Sequence, residues 1–232
     1  MLRFLPAALG AIVCGFLGAW LFTLSGLGGS ATEKWLLDHP EILPKLAERY
    51  QNAEAAKRMA GIRGQLTQPF PGAVLGNPNG KTTLVEFTDY ACTFCRHSIP
   101  DVQSLIAANP DLKVVVREWP IFEGSDAASR MALAAANQGK YVQFHDLMFE
   151  HGPPSPATIE LAAKGAGLDL AAAREYAASP AVELELRQNQ EFARQLGFEG
   201  TPSWVAGNQA FSGAVGRERL AEAISASPDD GA

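Results

Sequence analysis

Cysteine is scarce in this chain, which has 3 cysteines among 232 residues, at positions 14, 92 and 95. Exported domains that depend on disulfides for stability contain many more. Cys92 and Cys95 are separated by two residues, so a bond between them closes a very short loop and adds negligible loop-closure stabilisation. The cysteine content therefore argues against a disulfide-stapled scaffold and against a structural role for this pair.

The chain also lacks a cluster of basic residues. It has 19 lysines and arginines against 25 acidic residues, for a net charge of −6. A nucleic-acid partner requires a concentrated positive surface, so we expect no nucleic-acid binding. The hydrophobic fraction of 47% is ordinary for a chain that buries a real core. The sequence contains no internal repeat, and its only compositional bias is an enrichment in alanine.

Charge is absent from Phe4 to Leu24, a stretch that is mostly aliphatic and aromatic. Its length is close to the roughly 20 residues that a helix needs to cross a bilayer. Arg3 precedes it, which predicts a cytoplasmic N-terminus and an exported remainder. A cleaved signal peptide is the alternative, although "SGLGGSA" (25–31) offers only a vague cleavage site. Residues 1–30 are therefore predicted to be a signal anchor or a signal peptide.

A helical extension is predicted for residues 31–64. Its apolar residues follow a helical spacing among many charges, with breaks near Pro40 and Pro44. An isolated helix of this length is marginal in water, so it should pack on its own domain or on other copies of itself. The sequence leaves two alternatives for this extension: self-association through residues 33–62, or packing within one chain.

The next segment has the order strand, helix, strand. "TTLVEFTD" (82–89) and "LKVVVREW" (112–119) are typical of buried strands, and "TFCRHSIPDVQSLIAANP" (93–110) is typical of a helix. This order predicts a βαβ unit with parallel strands. An alanine-rich helical block follows at about 122–198, then a hairpin around Gly207-Asn208 and a closing helix. We predict an α/β protein with a thioredoxin fold over residues 65–230, interrupted by a helical insertion.

Cys92 falls between the end of a strand and the start of a helix. The first turn of a helix has unpaired backbone N–H groups and the positive end of the helix dipole, and both favour a thiolate. We therefore expect a lowered pKa at Cys92, which would make it the attacking sulfur. Cys95 lies one turn further along and is expected to be more buried, less reactive and able to resolve a mixed disulfide.

Two motifs resemble the DsbA-like thiol–disulfide oxidoreductases of the bacterial envelope. "VEFTDYACTFCRHSIP" (85–100) is similar to their active-site segment, and "EGTPSWV" (199–205) is similar to their cis-proline loop. The resemblance implies that Cys92 is the nucleophile and Cys95 the resolving cysteine. It also implies that Thr201-Pro202 faces them and pairs with an extended client chain. The redox-active pair would serve in place of a cofactor, and no metal site is expected.

The same resemblance implies a location and partners. It implies a periplasmic protein that acts on unfolded or exported proteins and is recycled by a membrane redox partner. The uncharged N-terminal run adds the expectation that the protein is anchored in the inner membrane. "LLDHPEILPKLAERY" (36–50) is similar to the N-terminal extension of the ScsC-like branch, whose helices can oligomerise the protein.

Three further residues complete the predicted site. Glu86 lies six residues before Cys92, where the family places a buried acid, and it could exchange a proton with Cys95. Thr93 and Phe94 separate the cysteines and are expected to contact clients. Many family members have a histidine between the cysteines, whereas Thr93 can offer only a neutral hydrogen bond. This departure predicts a milder oxidant than the strongest family members. Thr201, the threonine before the proline, resembles isomerases and reductases as well as some oxidases, which leaves the oxidising, reducing or isomerising direction open.

Two other functions use the same residues. The cysteine pair could hold Cu(I) in a protein that handles metals. The domain could also be an inactive adaptor that binds peptides without exchanging disulfides. Disulfide exchange is the function that the cysteine position favours most.

Overall fold

The computed structural model describes residues 5–24 and 27–226. The chain divides into two compact units, Met1–Tyr50 and Gln51–Ala232. The first unit contains helices α1 (Leu5–Leu24) and α2 (Leu27–Asp38) and the first half of α3 (Ile42–Met59). The helical pattern breaks at Pro40, as predicted, but Pro44 lies inside the first turn of α3. Proline is tolerated there because the N–H that it lacks would have no partner within the helix.

The predicted membrane anchor is not supported. Within residues 5–24 and 27–226, no helix is long and apolar enough to cross a membrane. Residues 1–4, 25 and 26 of the predicted segment lie outside the described residues.

A mixed five-stranded sheet forms the centre of the second unit. The β-branched and aromatic stretches that the sequence assigns to strands do form it, in the order β1-β3-β2-β4-β5. Strands β2 and β3 pair in parallel, with Glu86 opposite Val116, and the other pairs are antiparallel. Parallel pairing requires a crossover, which a helix between β2 and β3 provides. The strands are β1 (Val74–Gly76), β2 (Thr82–Thr88), β3 (Leu112–Glu118), β4 (Ser203–Ala206) and β5 (Gln209–Ser212).

Helices cover both faces of this sheet, in two separate hydrophobic clusters. One cluster joins alternate residues of β2 and β3, such as Leu84 and Val114, to the helix that follows Cys92, to the inserted helices and to the last helix. The other joins Val85 and Val115 to helices before β1 and before β4. Besides α3, the helices are α4 (Arg63–Thr67), α5 (Thr93–Ala108), α6 (Ser125–Asn137), α7 (Tyr141–His151), α8 (Pro156–Gly165), α9 (Leu170–Ala177), α10 (Pro180–Leu196) and α11 (Arg217–Ser225).

Arg117 on β3 connects three elements on the second face. Its side chain is 1% exposed and forms an ion pair with Glu185 of α10 at 2.8 Å. It also donates to the backbone oxygen of Leu66 in α4. A buried guanidinium is tolerated only when its donors are satisfied, and these partners satisfy them. Adjacent residues of a strand point to opposite faces, so the next residue, Glu118, faces the first cluster.

Candidate active site

Cys92 is the N-cap residue of α5, directly after a tight turn that ends β2. Asp89 shapes this turn: its backbone oxygen accepts from the Cys92 N–H at 3.0 Å, and its carboxylate accepts from the Ala91 N–H at 2.7 Å. The turn fixes where the helix begins and brings the Cys92 sulfur to its first turn.

The two sulfurs have different environments. Both cysteines are free thiols; Cys92 is 4% exposed and Cys95 is fully buried. A hydrogen bond from the Cys95 thiol, helped by nearby backbone N–H groups, lowers the pKa of Cys92 to about 5. Burial raises the pKa of Cys95 far above its usual range, and its hydrogen bond to Cys92 adds to this. At neutral pH the pair therefore holds one thiolate, on Cys92, and one thiol, on Cys95.

The loop around Pro202 lies against Cys92. The Thr201-Pro202 peptide bond is cis, and the Cys92 Sγ lies 3.1 Å from the Thr201 carbonyl oxygen, to which it donates when it is protonated. The Pro202 carbonyl accepts from the Gly213 N–H at 2.8 Å, which links the loop to the end of β5. The structure thus brings together Cys92, Cys95, Thr201 and Pro202, which are far apart in sequence.

Exposed apolar side chains lie beside the cysteines. Phe94 follows Cys92 by two residues and is 62% exposed, while Thr93 is also exposed. Ile121 and Phe122 are exposed as well, and their backbone N–H groups donate to the second carboxylate oxygen of Asp89 at 2.7 and 2.9 Å. Asp89 therefore holds the loop after β3 next to the active-site turn, a role that the sequence did not indicate.

Asp89→Ala should lower the free energy of unfolding by about 2–3 kcal/mol, because it leaves three partly buried N–H groups without their acceptor. Asp89→Asn keeps one acceptor oxygen and should lose less. Urea unfolding monitored by circular dichroism measures both values. Equal stability of Asp89→Ala and the unaltered protein would show that these contacts contribute nothing.

Glu86 is fully buried in the middle of β2, between Val116 of β3 and Trp204 of β4. In the part of the chain that the structure describes, neither of its carboxyl oxygens has a hydrogen-bond partner. Burial, and to a smaller extent the charge of Glu118, raise the pKa of Glu86 to about 8. Glu86 in turn contributes to the raised pKa of Cys95, so the two groups interact.

A second buried acid, Glu118, accompanies Glu86 and was missed in the sequence. Its Oε1 accepts hydrogen bonds from the hydroxyls of Tyr90, at 3.0 Å, and Tyr141, at 2.7 Å. His145 Nδ1 lies 3.1 Å from the Tyr90 hydroxyl. The one signal in the sequence is an acid at the end of a strand, in phase with the apolar residues Val114 and Val116.

Histidines do not join the cysteines. His97 is exposed on α5, and the buried His145 forms a hydrogen bond with the Tyr90 hydroxyl. Among residues 5–24 and 27–226, no group of three or more histidine, cysteine and acidic side chains is placed to hold a metal ion.

The fold and this site define a thioredoxin-like α/β protein with a redox-type cysteine pair at a helix N-terminus. Residues 83–225 match the DSBA-like thioredoxin domain family, so the chain belongs to that family. Membership supports a disulfide oxidoreductase and confirms the predicted fold class for this part of the chain.

Solved structures agree with this assignment. A thioredoxin-like oxidoreductase from Silicibacter pomeroyi is 39% identical, with 70% of this chain and 95% of that chain covered and a TM-score of 0.67. A linker-deletion variant of ScsC from Proteus mirabilis is 26% identical, with 84% and 90% covered and a TM-score of 0.68. A periplasmic thioredoxin-like protein from Salmonella enterica is 25% identical, with 71% and 94% covered and a TM-score of 0.62.

Curated relatives extend well beyond this chain. The Na(+)/H(+) antiporter NhaA 1 of Salinispora arenicola is 25% identical over 206 residues, which are 84% of this chain but 31% of that protein. The chain therefore spans about a third of the length of the curated relatives that it matches.

Proposed function

We propose that this protein exchanges disulfides with exported proteins through Cys92. The observation that carries the proposal is the position of the Cys92 sulfur, at the N-cap of α5 and 3.1 Å from the Thr201 carbonyl oxygen. A thiolate is the nucleophile of disulfide exchange, and the lowered pKa of Cys92 supplies one at neutral pH.

The exchange takes two steps. In the reducing direction the Cys92 thiolate attacks a client disulfide; the client S–S bond breaks, a Cys92–client bond forms, and the other client sulfur leaves as a thiolate. Cys95 then loses its proton and attacks the Cys92 sulfur, which forms the Cys92–Cys95 bond and releases the second client thiolate. Two electrons pass from the pair to the client, and the reverse sequence oxidises a client dithiol.

Glu86 is the proposed acceptor of the Cys95 proton. It is buried, it interacts electrostatically with Cys95, and its raised pKa makes it a stronger base than an exposed carboxylate. A buried thiol with a strongly raised pKa needs such a base, because water at neutral pH cannot remove its proton efficiently.

The surface around Cys92 suits unfolded clients. Phe94, Ile121 and Phe122 expose apolar area beside the cysteine, and unfolded chains expose apolar side chains that can cover it. The backbone of Thr201 and Pro202 would pair with the extended client chain, with Thr93 at the same edge of the site.

The direct test is Cys95→Ser. Without a resolving sulfur, the Cys92–client disulfide should persist and accumulate as a covalent complex. Incubation with a disulfide-containing test protein, followed by non-reducing electrophoresis and mass spectrometry, detects it. The Cys92→Ser/Cys95→Ser double variant is the matched control and should form no complex. Absence of a complex with Cys95→Ser would contradict the proposed function.

The direction of electron flow requires a separate comparison. Thr93-Phe94 supplies no positive charge next to the Cys92 thiolate, which favours a milder oxidant and leaves room for isomerase activity. Reactivation of a reduced test protein measures oxidase activity, and reactivation of its scrambled form measures isomerase activity. Faster rescue of the scrambled form would support isomerisation.

Self-association through residues 33–62 is part of the proposal. Exposed apolar side chains occur along this stretch of the first unit, namely Trp35, Leu37, Leu43, Leu46 and Tyr50. Several copies would place several cysteine pairs in one assembly, which suits isomerisation. Sedimentation of the full chain tests this, since a monomer at micromolar concentration would exclude it.

We further propose that the protein works in the bacterial periplasm, where a membrane redox partner restores the state of the cysteine pair. The similarity to a periplasmic thioredoxin-like protein supports this location. The oxidising chemistry of that compartment also suits a reactive pair. Recovery of the protein in the cytoplasmic fraction of cells would contradict the location.

A further inference from the structure

A group of buried polar side chains lies beneath the active-site helix. The group, which we name the acid cluster, consists of Glu86, Tyr90, Glu118, Tyr141 and His145, all at most 2% exposed. β2, the turn after it, β3 and α7 each contribute to it. Glu86 and Glu118 point to the same face of the sheet, because they are in phase along two paired parallel strands.

Hydrogen bonds in the acid cluster favour one of the two acids. Both tyrosine hydroxyls donate to Glu118 Oε1. By contrast, among the described residues neither oxygen of Glu86 has a hydrogen-bond partner. Hydrogen bonds from neutral donors stabilise a carboxylate, so when the two acids share one negative charge it resides mainly on Glu118.

The remaining members keep this arrangement in place. The pKa values of both tyrosines are raised by burial, so their hydroxyls stay protonated. Burial lowers the pKa of His145 to about 3, so its ring is neutral. Because the Tyr90 hydroxyl proton is directed at Glu118, His145 must donate to the Tyr90 oxygen from Nδ1.

We infer that Glu118 is a positioning residue for the resolving step: its carboxylate, held by Tyr90 and Tyr141, directs the proton of Cys95 to Glu86. The inference rests on the proposed function and adds a second acid to it. Glu118 touches neither sulfur; it acts through its charge on Glu86.

The transfer balances as an ordinary proton exchange. The Cys95 S–H bond breaks and an O–H bond forms on Glu86, so the charge moves from the carboxylate to the sulfur. The Cys95 thiolate then attacks Cys92 and expels the client thiolate, which takes a proton from solvent. A negative Glu118 opposes charge on Glu86 and so makes Glu86 hold the proton more firmly. A thiol with a raised pKa, such as that of Cys95, loses its proton only to a strong base, so a more basic Glu86 favours the transfer.

Other charged groups near Glu118 are few and do not replace it. Burial raises the pKa of Glu118 to about 8, and the charge of Asp89, beyond the end of β2, adds a smaller contribution in the same direction. Asn189 of α10 donates to the Glu118 backbone oxygen and carries no charge. Arg117, the adjacent residue, points to the opposite face and is paired with Glu185.

The test is the pH dependence of the resolving step alone. A single-cysteine peptide is first attached to Cys92 of the full-length protein as a mixed disulfide. The complex is held at about pH 4 and then mixed rapidly into buffers between about pH 5 and 10. The rate of peptide release is measured. In the unaltered protein the rate should rise through a midpoint near the pKa of Glu86, about 8. Glu86→Gln should remove this rise.

Glu118→Gln should move the midpoint down by about one pH unit or more and lower the plateau rate several-fold, because Glu86 becomes a weaker base. Tyr141→Phe removes one donor from Glu118 and should move the midpoint in the same direction by less. Glu183→Gln changes a half-buried acid of α10 that is paired with Arg130, and it is the matched control, with an unchanged midpoint.

The outcomes separate the two proposals. If Cys92 forms no mixed disulfide, the proposed function fails. If the mixed disulfide forms and resolves but Glu118→Gln leaves the midpoint in place, the role of Glu118 is wrong while the function stands. A purely structural effect of Glu118→Gln would lower the rate at every pH without a shift, and that result also overturns the inference. The inference also fails if the release rate of Glu86→Gln rises with pH as it does in the unaltered protein.

Discussion

Replacing Cys92 with serine is expected to lower the turnover of a disulfide substrate by about a thousand-fold or more. A serine hydroxyl stays protonated at neutral pH and is a far poorer nucleophile than a thiolate. The loss should appear in reduction of a fluorescent disulfide substrate with a dithiol as the electron source. Stability should change little, since serine is close in size to cysteine.

Cys14→Ser is the matched control for this experiment. Cys14 is the third cysteine of the chain and is exposed on α1. Its replacement should leave turnover unchanged, which would assign the activity to the pair rather than to thiols in general. Substantial turnover by Cys92→Ser would contradict the role of Cys92 as nucleophile.

The second large effect concerns stability. Relative to the unaltered protein, Glu86→Gln should raise the free energy of unfolding of the disulfide form by about 3–4 kcal/mol more at pH 8 than at pH 5. The folded pKa of Glu86 is about 8, against 4.5 for an unperturbed carboxyl. A raised pKa means that the folded state prefers the protonated acid. The contribution of Glu86 to stability is therefore fully present below pH 4.5 and is lost as the pH rises towards 8.

Urea unfolding of both proteins at the two pH values measures this difference. Use of the disulfide form keeps the ionisation of the thiols out of the comparison. Glu199→Gln, which alters an exposed acid, should show the same difference from the unaltered protein at both pH values. If Glu86→Gln behaves like Glu199→Gln, the carboxyl of Glu86 is not desolvated in the folded protein.

Much of the fold can be predicted from local sequence patterns. The β-branched runs of β2 and β3, the helical spacing of α5 and the Gly207-Asn208 turn each follow from residue preference and periodicity, so the βαβ unit and the hairpin could be predicted. The active-site position of Cys92 follows from the same order of elements. The neighbourhood of Thr201 could be predicted only from its resemblance to a family motif, because nothing local connects it to Cys92.

The acid cluster could not be predicted, because it depends on which side chains meet across the sheet. "LKVVVREW" was correctly assigned to a core strand, but the pattern does not show where its charged residues find partners. Arg117 and Glu118 are adjacent in sequence, yet one forms an ion pair with α10 and the other accepts from Tyr90 and Tyr141. Strand alternation separates them, and tertiary packing decides their partners.

His145 and Asp89 show the same limit. Nothing in the sequence indicates the partner of His145, whose ring forms a hydrogen bond with the Tyr90 hydroxyl. Asp89 comes shortly before the helix in sequence, but its bonds to Ile121 and Phe122 join segments more than thirty residues apart. Such contacts become visible only when the chain is folded.

The most direct measurement is the ionisation of the Cys92 thiol. Alkylation of the reduced Cys14→Ser protein by iodoacetamide, followed across pH with mass spectrometry to identify the modified residue, reports the thiolate fraction at Cys92. We expect the rate to be half-maximal near pH 5, with Cys95 unreactive throughout. A half-maximal rate near pH 8.5, as in an ordinary cysteine, would contradict an activated sulfur at the start of α5.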